Sequence, residues 1–457
     1  MDDFDPEITD LHPRDKVSNG VKAPDRGGVN FWRNAWLWRL ATVVGALLLA
    51  FLVIWSSFPS VRDRVSRLLY GPGQPPAAGT IYFGSYASNL YALHTRDGST
   101  IWRFQTQGSF LSSPIVANGS VYAGTNTGNI YALLANDGSL LWNFQANGTV
   151  TSLTVVNGIV YAVVRDLSSD MVYALRASDG STAWRYRANY LASSPPTVVG
   201  GIVYVVSDTQ AGTVYALRAN DGTLLWQYQT GTSVSPPVVI GGIAYIASPE
   251  GVVYALGANN GSLLWRQQIG YYGSELTVVN GSVYVAGTSH EQSSSVVYAL
   301  RANDGAIQWH TRISYFGIHP IVVKDSLYIA VSEHDLRTST IYALRSSDGD
   351  VLWHYQPSSA VLSLIVANDD VYFSSLDGNV SALRGSDGTL LWQHQGDFPV
   401  LSLMIDHGKI YLGSNSEQPP DRVYVLQATN GSLLWQYKAS VDVSSQLLSL
   451  FSIHASM

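Results

Sequence analysis

VYALRANDGTLLWQYQTG, residues 214–231, holds the pattern from which most of the chain is built. It reads Val/Ile-Tyr-Ala-Leu, a few residues, Asn/Ser-Asp-Gly, two or three residues and Trp, and VYALGANNGSLLWRQQIG at 253–270 repeats it. Nine segments follow this pattern, ending on Trp102, Trp142, Trp184, Trp226, Trp265, Trp309, Trp353, Trp392 and Trp435, which stand 39 to 44 residues apart. A fixed period of that length is the mark of a repeat architecture. The other four of the 13 Trp, at 32, 36, 38 and 55, lie outside the repeats near the N-terminus.

Each unit reads as four short strands. In the second, SSPIVAN (112–118), SVYAGT (120–125), NIYALLA (129–135) and LLWNFQ (140–145) are rich in β-branched and aromatic residues and too short for helices. Asn118-Gly119 joins the first pair and Asn136-Asp137-Gly138 the last pair, residue types that accept the positive φ of tight hairpins. A four-stranded antiparallel meander of about 42 residues, repeated around a ring, predicts an all-β fold, a β-propeller. Nine units favour nine blades, and eight blades with an accessory unit is the alternative. Residues 444–453, SSQLLSLFSI, match the first strand SSAVLSLIVA of 358–367, while the repeats open at Thr80-Ile81-Tyr82 with a second strand. One blade would thus join three N-terminal strands to one C-terminal strand, hiding both edges.

With its ALxxxxGxxxW core, the repeat resembles the pyrroloquinoline-quinone-type (PQQ-like) propeller family, which includes quinoprotein alcohol dehydrogenases and the propeller lipoprotein of the bacterial outer-membrane assembly machinery. The resemblance covers residues 80–457. It implies that each repeat Trp docks against the neighbouring blade, a structural role in all nine copies. It also offers an enzymatic reading, a membrane-bound PQQ-dependent dehydrogenase with PQQ and calcium as cofactors. That reading would require a carboxylate-and-amide calcium site, a catalytic Asp and, in many members, adjacent cysteines. The chain has no Cys, and the long insertions that build the other features are missing.

Only 13% of the 457 residues are charged and 46% are hydrophobic, far from the composition of a coiled coil, a disordered chain or a nucleic-acid binder. The net charge of −7 is too mild to name a partner and has the wrong sign for tracking phosphates. Without Cys there are no disulfides, thiolate metal sites, thiol catalysis or lipidated N-terminal Cys.

Residues 1–35 are polar, without apolar periodicity, and read as a disordered tail. Leu40 to Phe58, LATVVGALLLAFLVIWSSF, runs 19 residues without a charge, close to the roughly 20 that cross a bilayer. Trp36, Trp38 and Trp55 near its ends and the flanking Arg39, Arg62, Arg64 and Arg67 suit the membrane interface. A transmembrane helix is expected over 36–58, with 59–79, ending GPGQPPAAG, as a linker. The expected arrangement is a single-pass membrane protein with a short tail inside and the propeller of 80–457 extracytoplasmic.

In such a meander the 1–2 and 3–4 turns share one face, here uniformly tight, and the 2–3 and 4–1 loops share the other. The 2–3 loops are extended in unit 3 (165–171), unit 6 (287–296), unit 7 (332–340) and unit 9 (414–422). The 4–1 loops carry Phe110, Tyr190, Tyr271, Tyr272, Tyr315, Phe316 and Phe398, with Glu275 and His319 behind them. Loops free to vary are where binding residues gather, so these nine residues form a candidate platform for a protein or peptide partner. The plain alternative is that the rings pack between blades.

No catalytic residue, metal site or cofactor is expected. The Asp of Asn-Asp-Gly recurs at Asp137, Asp221 and Asp304 in a turn position and reads as a turn former. No G-x-S-x-G, H-E-x-x-H, Walker A or EF-hand pattern occurs. Among the ten His, His310 and His354 directly follow a repeat Trp in successive units, so repetition explains them better than metal binding, and His290, His319 and His334 form no close-spaced pair. Asn-Gly-Ser/Thr sequons at Asn118, Asn147, Asn260, Asn280 and Asn430 fall on turns or loops, where turn chemistry accounts for them. The reading is therefore a non-catalytic binding or scaffold module, with the quinoprotein dehydrogenase as the alternative.

Overall fold

The computed structural model describes residues 79–438, apart from 86–87, 111, 167–169, 189, 210, 271–275, 289–294, 314–315, 318–319, 333–337, 398 and 415–421. The strands within this range form nine antiparallel sheets in chain order, the blades of a nine-bladed propeller. Blade 4 is representative: Thr197–Val199, Ile202–Val206, Thr213–Arg218 and Leu224–Gln229 pair in sequence. First strands of successive blades approach one another, so they lie on the inner side of the ring, with the Trp-bearing fourth strands outermost.

The alternation of side chains along each strand explains why the middle strands are hydrophobic on both faces. Tyr204 and Val206 of blade 4 pack with Ile246 and Tyr254 of blade 5, whereas Val203 and Val205 pack with Tyr161 and Val172 of blade 3. Every blade is thus sandwiched, and the core is a succession of such interfaces. Fourth strands face a neighbour on one side only: in Leu224–Gln229 the Trp226 position alone is buried.

The repeat motif is the joint between blades. Each Trp Nε1 donates to a backbone carbonyl just before the second hairpin turn of the next blade, as Trp102 does to Ala135 (2.8 Å), Trp226 to Ala258 (2.9 Å) and Trp353 to Gly385 (2.7 Å). The Gly of that turn lies flat on the indole: a Cβ on Gly222 would stand 2.6 Å from Trp184, and its φ of +72° already disfavours any other residue. The preceding Asp closes the turn, with Oδ1 accepting the amide two residues on, as Asp221 does from Thr223 (3.0 Å) and Asp387 from Thr389 (2.9 Å). Asn260 and Asn430 do the same in blades 5 and 9. Hydrogen bonds from Thr223 and the Arg218 guanidinium bring the Asp221 carboxyl down to about 2. These carboxylates are turn formers, as their position in the repeat predicts.

Ring closure settles the blade number. Trp435 of the ninth blade donates to the Thr95 carbonyl of the first at 3.0 Å, Lys409 Nζ reaches the same oxygen at 2.8 Å, and Ile81, Phe83, Tyr411 and Val423 share one core cluster. All nine units are blades, and the eight-bladed alternative is set aside. Among the described residues the first blade has three strands, Thr80–Gly84, Asn89–His94 and Thr100–Gln105, and lacks an inner one. The expected closing strand, 444–453, lies outside the described residues, as do the tail of 1–35, the expected membrane helix of 36–58 and most of the linker of 59–79. Among the described residues no helix is long and apolar enough to cross a membrane.

Candidate functional site

The loop face departs from the sequence expectation in how its long hairpins are built. The ends of three extended 2–3 segments are strand: blade 3 pairs Met171 with Val164, blade 6 pairs Thr288 with Ser295, and blade 7 pairs Ser332 with Ser339. The extra residues bring both middle strands of these three blades to seven residues.

Tyr190 is the candidate aromatic that the structure places in solvent, 70% exposed. Its φ of +51° is rare for a bulky residue and requires support from its surroundings. That support is a polar clamp between blades 3 and 4. The buried Asp170 carboxylate accepts the Leu191 amide at 2.5 Å, Asp208 N donates to the Tyr190 carbonyl at 2.7 Å, and Arg165 donates twice to the Leu191 carbonyl, at 3.2 and 3.0 Å. Leu191 itself is fully buried, so the chain is pinned on one side of Tyr190 and the ring is held outward. Arg165, Asp170 and Asp208 were missed in the sequence because they carry no motif; only their position flanking a hairpin connects them.

Phe110 has the opposite fate. It is completely buried, bridges Thr125, and its ring stands 2.6 Å from where a Cβ on Gly84 would be. It seals the junction of blades 1 and 2, the packing role that was the alternative for these aromatics. Phe316 contributes backbone to a two-residue strand opposite Ser332 and Val331. Tyr271, Tyr272, Glu275, Tyr315, His319 and Phe398 lie outside the described residues.

Other polar groups on this face are committed to structure. Burial alone would raise the Asp377 carboxyl, but hydrogen bonds from Ser375, Ser358 and Asn379 outweigh it and hold the group below its ordinary value. Arg422 pairs with Asp397 at 2.9 Å. His310 and His354 stack near Tyr298 and Tyr342 at 5.8 and 6.0 Å in equivalent places of successive blades. Among the described residues no three or more of His, Asp and Glu come together. What the face offers is an exposed aromatic, Tyr190, held by a polar clamp, a surface fitted for contact.

The profile of the family described as outer membrane protein assembly factor BamB matches residues 18–168, 151–329, 249–399 and 293–450. The outer membrane protein assembly factor BamB of Salmonella typhimurium is 36% identical over 114 residues, 24% of this chain and 25% of that protein, so the match spans a quarter of the relative's length. Among solved structures, BamB from Moraxella catarrhalis superposes with a TM-score of 0.53 at 18% identity, covering 68% of this chain and 96% of that one. Quinohemoprotein alcohol dehydrogenase from Comamonas testosteroni gives 0.50 at 16% identity, covering 83% and 76%. Both likenesses speak to the fold alone. With the profile matching nearly the whole repeat region, the chain belongs to the BamB family of PQQ-like propellers.

Proposed function

We propose that this propeller is a non-catalytic, extracytoplasmic scaffold that docks protein partners in outer-membrane protein assembly, using the loop face centred on Tyr190. The observation that carries this reading is the family profile spanning residues 18 to 450, whose description is that of an assembly factor. The presentation of Tyr190 on its polar clamp and the longer middle strands of blades 3, 6 and 7 suit an interaction surface. For anchoring, the uncharged run of 40–58 with its Trp and Arg flanks supports a single membrane-spanning helix, an alternative in a chain without Cys to a lipid-modified N-terminus.

The test uses the full chain, tagged and crosslinked in its native membranes. Capture of outer-membrane assembly proteins, lost when Tyr190, Tyr271 and Tyr272 are changed to Ala, is the expected result, together with reduced levels of outer-membrane proteins on depletion of the chain. Stoichiometric binding of PQQ and calcium with dye-linked alcohol oxidation would overturn the scaffold reading in favour of a quinoprotein dehydrogenase.

A further inference from the structure

On the turn face, opposite to Tyr190, blades 3 and 4 part around a cleft of about 440 Å³. Its lining includes Asn157, Ile159, Tyr161, Arg176, Val198 and Asn220, and beneath them Gly200 and Gly201 have open space where a Cβ would stand. The volume is within the about 300–1,000 Å³ of small-ligand sites.

Two departures from the repeat coincide here. The equivalent arginines Arg218, Arg301, Arg345 and Arg384 are each ion-paired with the Asp three residues on, at 2.9 to 3.1 Å. Arg176 has Asp179 at that spacing, yet the Asp179 carboxylate is occupied by the Ser181 amide (2.9 Å) and hydroxyl (2.6 Å), and Arg176 Nη1 reaches only the Ser181 hydroxyl, at 3.1 Å. Tyr161 is the second departure. Its counterparts Tyr82, Tyr122, Tyr204, Tyr245, Tyr284 and Tyr328 donate to the carbonyl that the Trp of their own blade also uses. At the corresponding carbonyl, Ala219, Trp184 donates at 2.7 Å, and among the described residues the Tyr161 hydroxyl makes no such bond. Tyr372 and Tyr411 also lack that bond, but Arg384 of the eighth blade is held by Asp387, and the ninth blade has Gln427 at the arginine position.

We propose that this cleft binds a carboxylate carried beside an apolar group. The Arg176 fork matches two carboxylate oxygens, the Tyr161 hydroxyl supplies a third donor, and the Asn157 and Asn220 amides can complete the shell. Ile159 and Val198 take the apolar neighbour. Arg176 is the one charged residue of the lining, so an anion meets no opposing carboxylate in the cleft walls. Tyr161 lines the cleft and its hydroxyl is not tied to the Ala219 carbonyl, so it can donate to an acceptor bound there. The same chemistry is found in the acidic side chain of a peptide and in a free organic acid.

Calorimetric titration of the full chain in detergent separates these sources. The probes are an end-blocked Leu-Glu-Leu peptide, its Leu-Gln-Leu counterpart, succinate and inorganic phosphate. The expected result is binding of the Glu peptide, of succinate or of both, with the Gln peptide at least about tenfold weaker, since a hydrogen bond to a charged group is worth about that factor or more. R176Q should weaken binding about tenfold or more and Y161F several-fold, while R218Q in the next blade leaves it unchanged. Binding of the Glu peptide alone identifies a peptide source, and binding of succinate alone a free acid. No binding at millimolar concentration, equal binding of the Glu and Gln peptides, preference for phosphate, or indifference to R176Q each overturns the proposal. Circular dichroism melts of the variants distinguish lost binding from lost folding.

Discussion

The two faces of the ring are built from the same nine repeats and obey different rules. On the turn face each blade must receive the Trp of its predecessor, so Asp, Gly and a free carbonyl recur at fixed places, and a change in one turn disturbs two blades. On the loop face the hairpins differ from blade to blade: the middle strands reach seven residues in blades 3, 6 and 7, and ties such as that of Asp170 to Leu191 are local and not repeated. Repetition is strict on the first face and relaxed on the second. The cleft at Tyr161 and Arg176 is notable on these terms, because it is a local relaxation on the strict face.

The largest expected effect comes from breaking a joint. W226A removes a nearly buried indole and its bond to Ala258, and should destabilise the fold by about 3–5 kcal/mol. Y190A on the other face should change stability by less than about 0.5 kcal/mol, both read from chemical denaturation. Equal effects would contradict the division between faces. Next in size, G222A combines a φ of +72° with a clash against Trp184, whereas G241A at φ +60° meets open space. The first should lower the melting temperature clearly more than the second, which carries only the backbone cost of about 1 kcal/mol.

Smaller still is the contrast within the tyrosine row. Y204F loses the bond to the Ala258 carbonyl and should cost about 0.5–1.5 kcal/mol, while Y161F, with no such bond to lose, should be neutral in unliganded protein. The smallest effect is acid loosening of the turns. The Asp221 carboxyl is held at about 2 by Thr223 and Arg218, and those of Asp304, Asp348 and Asp387 are also lowered by their turn hydrogen bonds and arginines. A lowered folded-state value means that the contribution is complete above the unfolded value of about 4 and is lost as pH falls toward 2. Hydrogen exchange of the turn amides should rise in that window before the loop face responds.

The strand order and the role of the turn Asp are legible in the sequence because the repeat is copied nine times, with Asn260 and Asn430 in place of the Asp in blades 5 and 9. The candidate site was less so. Phe110 and Leu191 each stand two residues before a Ser-Ser-Pro, make equivalent isolated bridges to Thr125 and Ser207 and are fully buried, so the counterpart of Phe110 is Leu191, and Tyr190, one position earlier, is the residue left in solvent. The cleft was invisible, since Arg176 and Asp179 have the same spacing as the paired residues of blades 4, 6, 7 and 8, and the missing ion pair is purely geometric. Pattern predicts what repeats, and function resides in the exceptions.

The bond from Trp435 to Thr95 joins residues 340 apart in the chain, so it cannot form until nearly all of the chain is available. Contacts between successive blades are local by comparison and can accumulate as the chain emerges. Closure of the ring is therefore expected late in folding. Until then the outer face of the ninth blade and the free edge of the first stay open together, an interval in which a chaperone, or a second copy of the chain, would find matching surfaces to occupy.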